Sequence, residues 1–100
     1  PEPLTPPRES AVVQQVRNGK RAARLTWQTA YAADEPISRY EILRDGRKIG
    51  QVPYRPQTTK EPFAFDDSLS DRKAHKYKLV TVDAAGQSAA SEELLVETTG

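Results

Sequence analysis

The sequence predicts an all-β domain, a two-sheet antiparallel sandwich of seven short strands. Three observations carry that expectation. Apolar and polar residues alternate at period two in several short runs. Turn signals at Asn18-Gly19, Asp45-Gly46 and Gly86 separate those runs. Finally, no stretch has the length and apolar spacing of a credible helix.

Taken in order, the opening PEPLTPPRES has four prolines in ten residues. Proline fixes φ and removes a backbone donor, so residues 1–9 are expected to form a proline-rich linker. From Ser10 a short apolar run of imperfect alternation reads as an edge strand closing at Asn18-Gly19, whose residues suit the positive φ angles of a two-residue hairpin. The next run puts Ala23, Leu25 and Trp27 on one side and Arg24, Thr26 and Gln28 on the other, the mark of a half-buried strand. AADEP is turn-like, because Pro36 disfavours helix in the residue before it. Tyr40 and Ile42 then face inward against Arg39 and Glu41. That strand turns at Asp45-Gly46 and resumes with Ile49 and Val52, the strongest hairpin signal in the chain.

PYRPQTTKEP, with three prolines, is either a long loop or an irregular edge guarded against pairing. Phe63 and Phe65 make a short strand before the polar turn DDSLSDRK. His75, Tyr77, Leu79 and Thr81 share one face of the next strand, with Lys76, Lys78, Val80 and Val82 on the other. After Gly86, Ser88 to Thr99 reads as a last strand centred on Leu94 and Val96. SEELLVE could start a helix with Ser91 as cap, but a single amphipathic turn is too short to stand by itself.

One hundred residues make one domain, which on folding buries roughly 60 to 65% of the surface its unfolded chain exposes. Without cysteine, neither disulfides nor thiolate metal ligands hold it together. Lys plus Arg number 15 against 14 for Asp plus Glu, a balance that creates no field to steer a polyanion or a membrane surface. No run of about 18 apolar residues and no signal-like segment occurs, so membrane insertion is not expected.

The inward residues in this order, Trp27, then Tyr40 and Ile42, then Leu69, then Tyr77, Leu79, Thr81, Asp83, Gly86 and Ser88, resemble a fibronectin type III module. The ending VDAAGQSAAS is most similar to the modules of bacterial extracellular and carbohydrate-active proteins. The resemblance implies an immunoglobulin-like sandwich of fibronectin type III topology over residues 10–99, with a shared core of Trp27, Tyr40, Ile42, Leu69, His75, Tyr77 and Leu79. In such modules a tyrosine six residues after the leucine forms a corner by returning its hydroxyl to the backbone. Here His75 holds that place. It is expected to face inward and donate a ring N–H to a backbone carbonyl of the turn.

A catalytic reading of His75 needs an oriented partner and a nucleophile or metal beside it, and the local sequence offers neither. A glycosidase needs two carboxylates at fixed separation. Asp66 and Asp67 are adjacent and point to opposite faces of a strand, while Asp45, Asp71 and Asp83 lie in or beside turns and are expected to accept from nearby backbone N–H groups. DDSLSD lacks the glycine of a tight calcium loop. Arg44, Arg47, Lys48 and Arg55, near Tyr54, mix cation and aromatic as nucleic-acid surfaces do, but Glu41 and Asp45 interrupt them, so a solvated guarded edge is expected. Arg44-Asp45-Gly46 is not the Arg-Gly-Asp adhesion order. Tyr31 and Tyr54 are the aromatics that alternation leaves unexplained, and they are the candidate anchors for a glycan or a protein partner.

The expectation is therefore a module with no catalytic, cofactor or metal residue and no nucleic-acid partner. It is a spacer or interaction module of a larger, secreted bacterial protein, extracellular, periplasmic or cell-surface, whose partner is a neighbouring domain of the same polypeptide. The alternative is an accessory carbohydrate-binding domain of a glycan-degrading enzyme.

Overall fold

The computed structural model describes residues 4–32, 35–55 and 61–97. Expectations that fall on 1–3, 33–34, 56–60 and 98–100 lie outside the described residues. Eight strands, β1 (Arg8–Arg17), β2 (Lys20–Gln28), β3 (Ile37–Arg44), β4 (Arg47–Pro53), β5 (Phe63–Leu69), β6 (His75–Asp83), β7 (Ser88–Ala90) and β8 (Leu94–Val96), form two antiparallel sheets. One has the order β1-β2-β5; the other has β4-β3-β6-β7, with β8 also on β6. The result is a sandwich of fibronectin type III-like strand order.

Local chemistry places both hairpins. Asn18 and Gly19 have φ of 52° and 74°, and Asp45 and Gly46 have 51° and 86°, the left-handed pairs that match a two-residue turn to strand twist. Arg17 consequently sits opposite Lys20, and Arg44 opposite Arg47.

Several boundaries differ from the sequence reading. β1 begins at Arg8, with a bulge between Arg8 and Ala11 and Glu9 at φ 52°. Residues 4–7, expected as part of a linker, are tied to the sandwich: Leu4 lies against the core, and the Thr5 amide donates to the Tyr31 carbonyl at 3.0 Å. β5 continues through Leu69, which pairs with Arg21 and so stands in a strand instead of a turn. The last strand occurs as two segments, because Ser91 turns its hydroxyl onto the ladder. Leu79 N donates to Ser91 Oγ at 2.9 Å, where a regular strand would offer a carbonyl.

Between the sheets lie Trp27, Tyr40, Ile42, Phe63, Tyr77 and Leu79, all essentially inaccessible. Trp27 stacks on Phe63, with centroids 6.0 Å apart and planes at 9°, and meets Tyr40 edge-on at 5.5 Å. Leu69 and His75 are buried as well. Val80 and Val82, on the other face of β6 with Lys76 and Lys78, are also buried. They lie opposite Glu41 and Arg39 in register, and those two side chains pair at 2.8 Å across that face. Long polar side chains cover apolar neighbours with their stems.

Candidate functional site

Ionisable side chains concentrate at one end of the sandwich, built by the Asp45-Gly46 turn, the start of β2, the β5–β6 connection and the start of β6. Period two carries Arg21 onto the same inner face as Ala23, Leu25 and Trp27, so a guanidinium is buried to 7% exposure. Each of its three nitrogens has a partner. Nε donates to Gln14 Oε1 at 2.7 Å, Nη1 to the carbonyls of Asp71 and Lys73 at 3.0 and 2.9 Å, and Nη2 to the Glu97 carbonyl at 2.7 Å. One cation thereby joins β1, the β5–β6 connection and the end of the last strand. Burying a charge is tolerable only with that degree of pairing.

Beside it, His75 is 8% exposed. Nδ1 lies 2.6 Å from Asp45 Oδ2 and Nε2 lies 2.8 Å from Asp71 Oδ1. The expected partner, a backbone carbonyl of the turn, is replaced by two carboxylates reaching in from separate loops. Each aspartate also accepts from a backbone amide, Asp45 Oδ1 from Lys76 at 3.0 Å and Asp71 Oδ1 from Lys73 at 3.1 Å. The hydrogen bond to Asp45, then that to Asp71, raises the imidazole pKa above its ordinary 6.5. Asp45 is lowered, first by the Lys76 amide and then by His75. Asp71 is lowered chiefly by His75.

One layer deeper, Asp67 faces inward while Asp66 faces out to Arg24 at 3.1 Å, the opposite orientations expected of adjacent strand residues. Asp67 Oδ2 accepts from the Tyr77 hydroxyl at 2.6 Å and from Arg44 Nη1 at 2.7 Å. Burial, then the bond to Asp67, pushes the Tyr77 phenol well above its usual range, and Asp67 likewise raises Arg44.

A general base needs a nitrogen free to take a proton from a reacting group. With both nitrogens of His75 occupied and the ring enclosed, this closed arrangement offers substrate neither reach nor an acceptor. Among the described residues, no group of three or more His, Cys, Asp or Glu is placed to hold a metal ion. Asp83, the other turn carboxylate, accepts from the amides of Ala85 and Gln87 at 3.0 and 2.8 Å.

The two candidate anchors stand apart in character. Tyr31, 59% exposed, has the Arg8 guanidinium 4.7 Å above its ring. Tyr54 is half-buried, stacks toward Phe63 at 6.3 Å, and belongs to the packed aromatic group with Tyr40. Arg44 turns to Asp67 and Lys48 to Glu41 and Gln51, so those two basic residues of the hairpin face different neighbours. Sequence reasoning misses Arg21 and Asp67 as inward charges, each with partners of its own. The signal for Arg21 was present, two residues before Ala23 on a period-two strand.

No protein-family model matches the sequence, and no curated protein matches it. Among solved structures the chain is similar to the fibronectin(III)-like modules of Clostridium thermocellum CbhA, with a TM-score of 0.65 and 22% identity over 96% of this chain and 93% of that one. It is also similar to part of the pectate lyase Pel3 from Pectobacterium carotovorum, with a TM-score of 0.58 and 17% identity, covering 91% of this chain and 27% of that one. Both likenesses are of fold, and the fold is fibronectin type III-like.

Proposed function

We propose that the chain is a non-catalytic spacer module of a larger, secreted bacterial protein, which sets the position of a neighbouring domain. The observation that carries this reading is the placement of the two ends of the described chain. Arg8 pairs with Gln28, at the end of the sandwich opposite the Asn18-Gly19 turn. Val96 pairs with His75, beside the Asp45-Gly46 turn, and the next carbonyl is held by Arg21. The chain thus enters at one end of a body 47 Å long and leaves at the other.

That geometry suits separation better than folding back. Both ends are also anchored, the first through Thr5 and Tyr31 and the second through Arg21 and Glu97. Interfaces between domains of one chain are modest and polar as a rule, so position is transmitted through such attachments more than through buried area. Likeness to modules of CbhA and to part of Pel3 supports a place beside other domains in bacterial proteins. The half-buried state of Tyr54 leaves Tyr31 without a second exposed aromatic beside it, which weighs against stacking on a glycan.

The test joins a reporter domain to each end of the chain. Small-angle scattering should find the reporters held at a defined separation, with a narrower distribution than across a Gly/Ser linker of equal length. A broad or collapsed distribution would contradict the spacer reading. So would a glycan that binds the isolated chain in the micromolar range and is lost in Tyr31→Ala.

A further inference from the structure

We propose that His75, gripped between Asp45 and Asp71, is a proton-operated latch that holds the β5–β6 connection, residues 70–74, against the end of the sandwich.

Two carboxylate oxygens face the two ring nitrogens, at 2.6 and 2.8 Å. Only the imidazolium carries a proton on both nitrogens and can donate to both. The neutral ring has one N–H, and whichever nitrogen loses its proton presents a lone pair to a carboxylate. The closed latch is therefore the protonated one.

The surroundings decide which side lets go. From the β3–β4 turn comes Asp45, held additionally by the Lys76 amide of β6 and nearer to the ring. From the β5–β6 connection comes Asp71, whose carboxylate is otherwise met by the amide of Lys73 within its own loop and by Arg21 of β2 at 3.5 Å, while Arg21 Nη1 also holds the Asp71 and Lys73 carbonyls. The other ionisable side chains that face inward at this end are committed, Arg44 and Tyr77 to Asp67 and Arg21 to four acceptors, while Arg47, Arg72, Lys73 and Lys76 are exposed. Glu97, after β8, offers its backbone carbonyl to Arg21. The neutral ring keeps its proton on Nδ1 toward Asp45 and gives up Asp71.

The sign follows from linkage. A raised histidine pKa means that the stabilisation is complete below about 6.5 and is lost as pH rises through the higher value of the closed form. Asp45 and Asp71, with lowered pKa values, keep the acid side closed until the pH falls below their ordinary 3.8. The latch is shut between those limits and opens on the alkaline side.

The experiment is residue-resolved NMR on the whole 100-residue chain between pH 5.5 and 8.5. The neutral ring should be the Nδ1–H tautomer. The opening equilibrium of the Lys73 amide, corrected for intrinsic exchange, should rise about tenfold for each unit by which the closed-state pKa exceeds the open-state one. The Ala85 amide, bound to Asp83 at the far end, should not follow. In His75→Gln the Lys73 profile should be flat; should that variant fail to fold, the wild-type profile alone decides. A neutral Nε2–H tautomer, a Lys73 profile that tracks Ala85, or a pH response that survives in His75→Gln would each overturn the latch.

Discussion

The Tyr77 hydroxyl donates to Asp67 Oδ2 at 2.6 Å, and this bond joins β6 of one sheet to β5 of the other from inside the sandwich. Arg44 shares the same oxygen at 2.7 Å, so a buried phenol is paired with a charge that is itself neutralised. Tyr77→Phe should cost about 1.5 to 3 kcal/mol, the range for a hydrogen bond to a charged group. Asp67→Ala should cost more, because it leaves both the phenol and the guanidinium without their acceptor. Urea unfolding midpoints give the order. An Asp67→Ala variant more stable than Tyr77→Phe would contradict this account of the cluster.

Trp27 contributes packing in the main. Its Nε1 has no hydrogen-bond partner among the described residues, while its ring lies on Phe63 and against Tyr40. Trp27→Ala should therefore remove apolar contact and leave a cavity, at about 3 to 5 kcal/mol. A domain of this kind has on the order of 5 to 15 kcal/mol in all. Denaturant titration should find Trp27→Ala largely unfolded or shifted far toward low denaturant, and an unchanged midpoint would remove Trp27 from the centre of the core.

Gly50 is required by approach, not by backbone angle. A Cβ built there would stand 2.6 Å from Phe65 Cζ and 2.7 Å from Cε1, where β4 of one sheet faces β5 of the other. Gly50→Ala should cost about 1 to 3 kcal/mol by overpacking. Gly50→Ala with Phe65→Leu should recover part of the loss, since the offending atoms belong to the ring. Thermal melts of the two single variants and the double variant measure the coupling, and strict additivity would refute the contact as its cause.

The local part of this protein is legible in the chain alone. Alternation at Ala23, Leu25 and Trp27, or at Tyr40 and Ile42, depends only on strand geometry. The Asn18-Gly19 and Asp45-Gly46 turns depend only on which residues accept positive φ. Order and spacing of the inward residues then sufficed for the sandwich. The tertiary structure decided the rest, because it rests on residues distant in the chain. His75 meets a carboxylate 30 residues earlier, and Arg21 reaches a carbonyl 76 residues later. Those meetings follow from which strands lie side by side and in what register. Asp45 and Asp71 each carry the mark of a turn carboxylate; Asp71 does bind an amide of its own turn, but the amide that Asp45 binds belongs to Lys76, 31 residues later. Their second oxygen or lone pair is free for whatever the fold brings near, and only the closing of the two sheets brings the same imidazole to both.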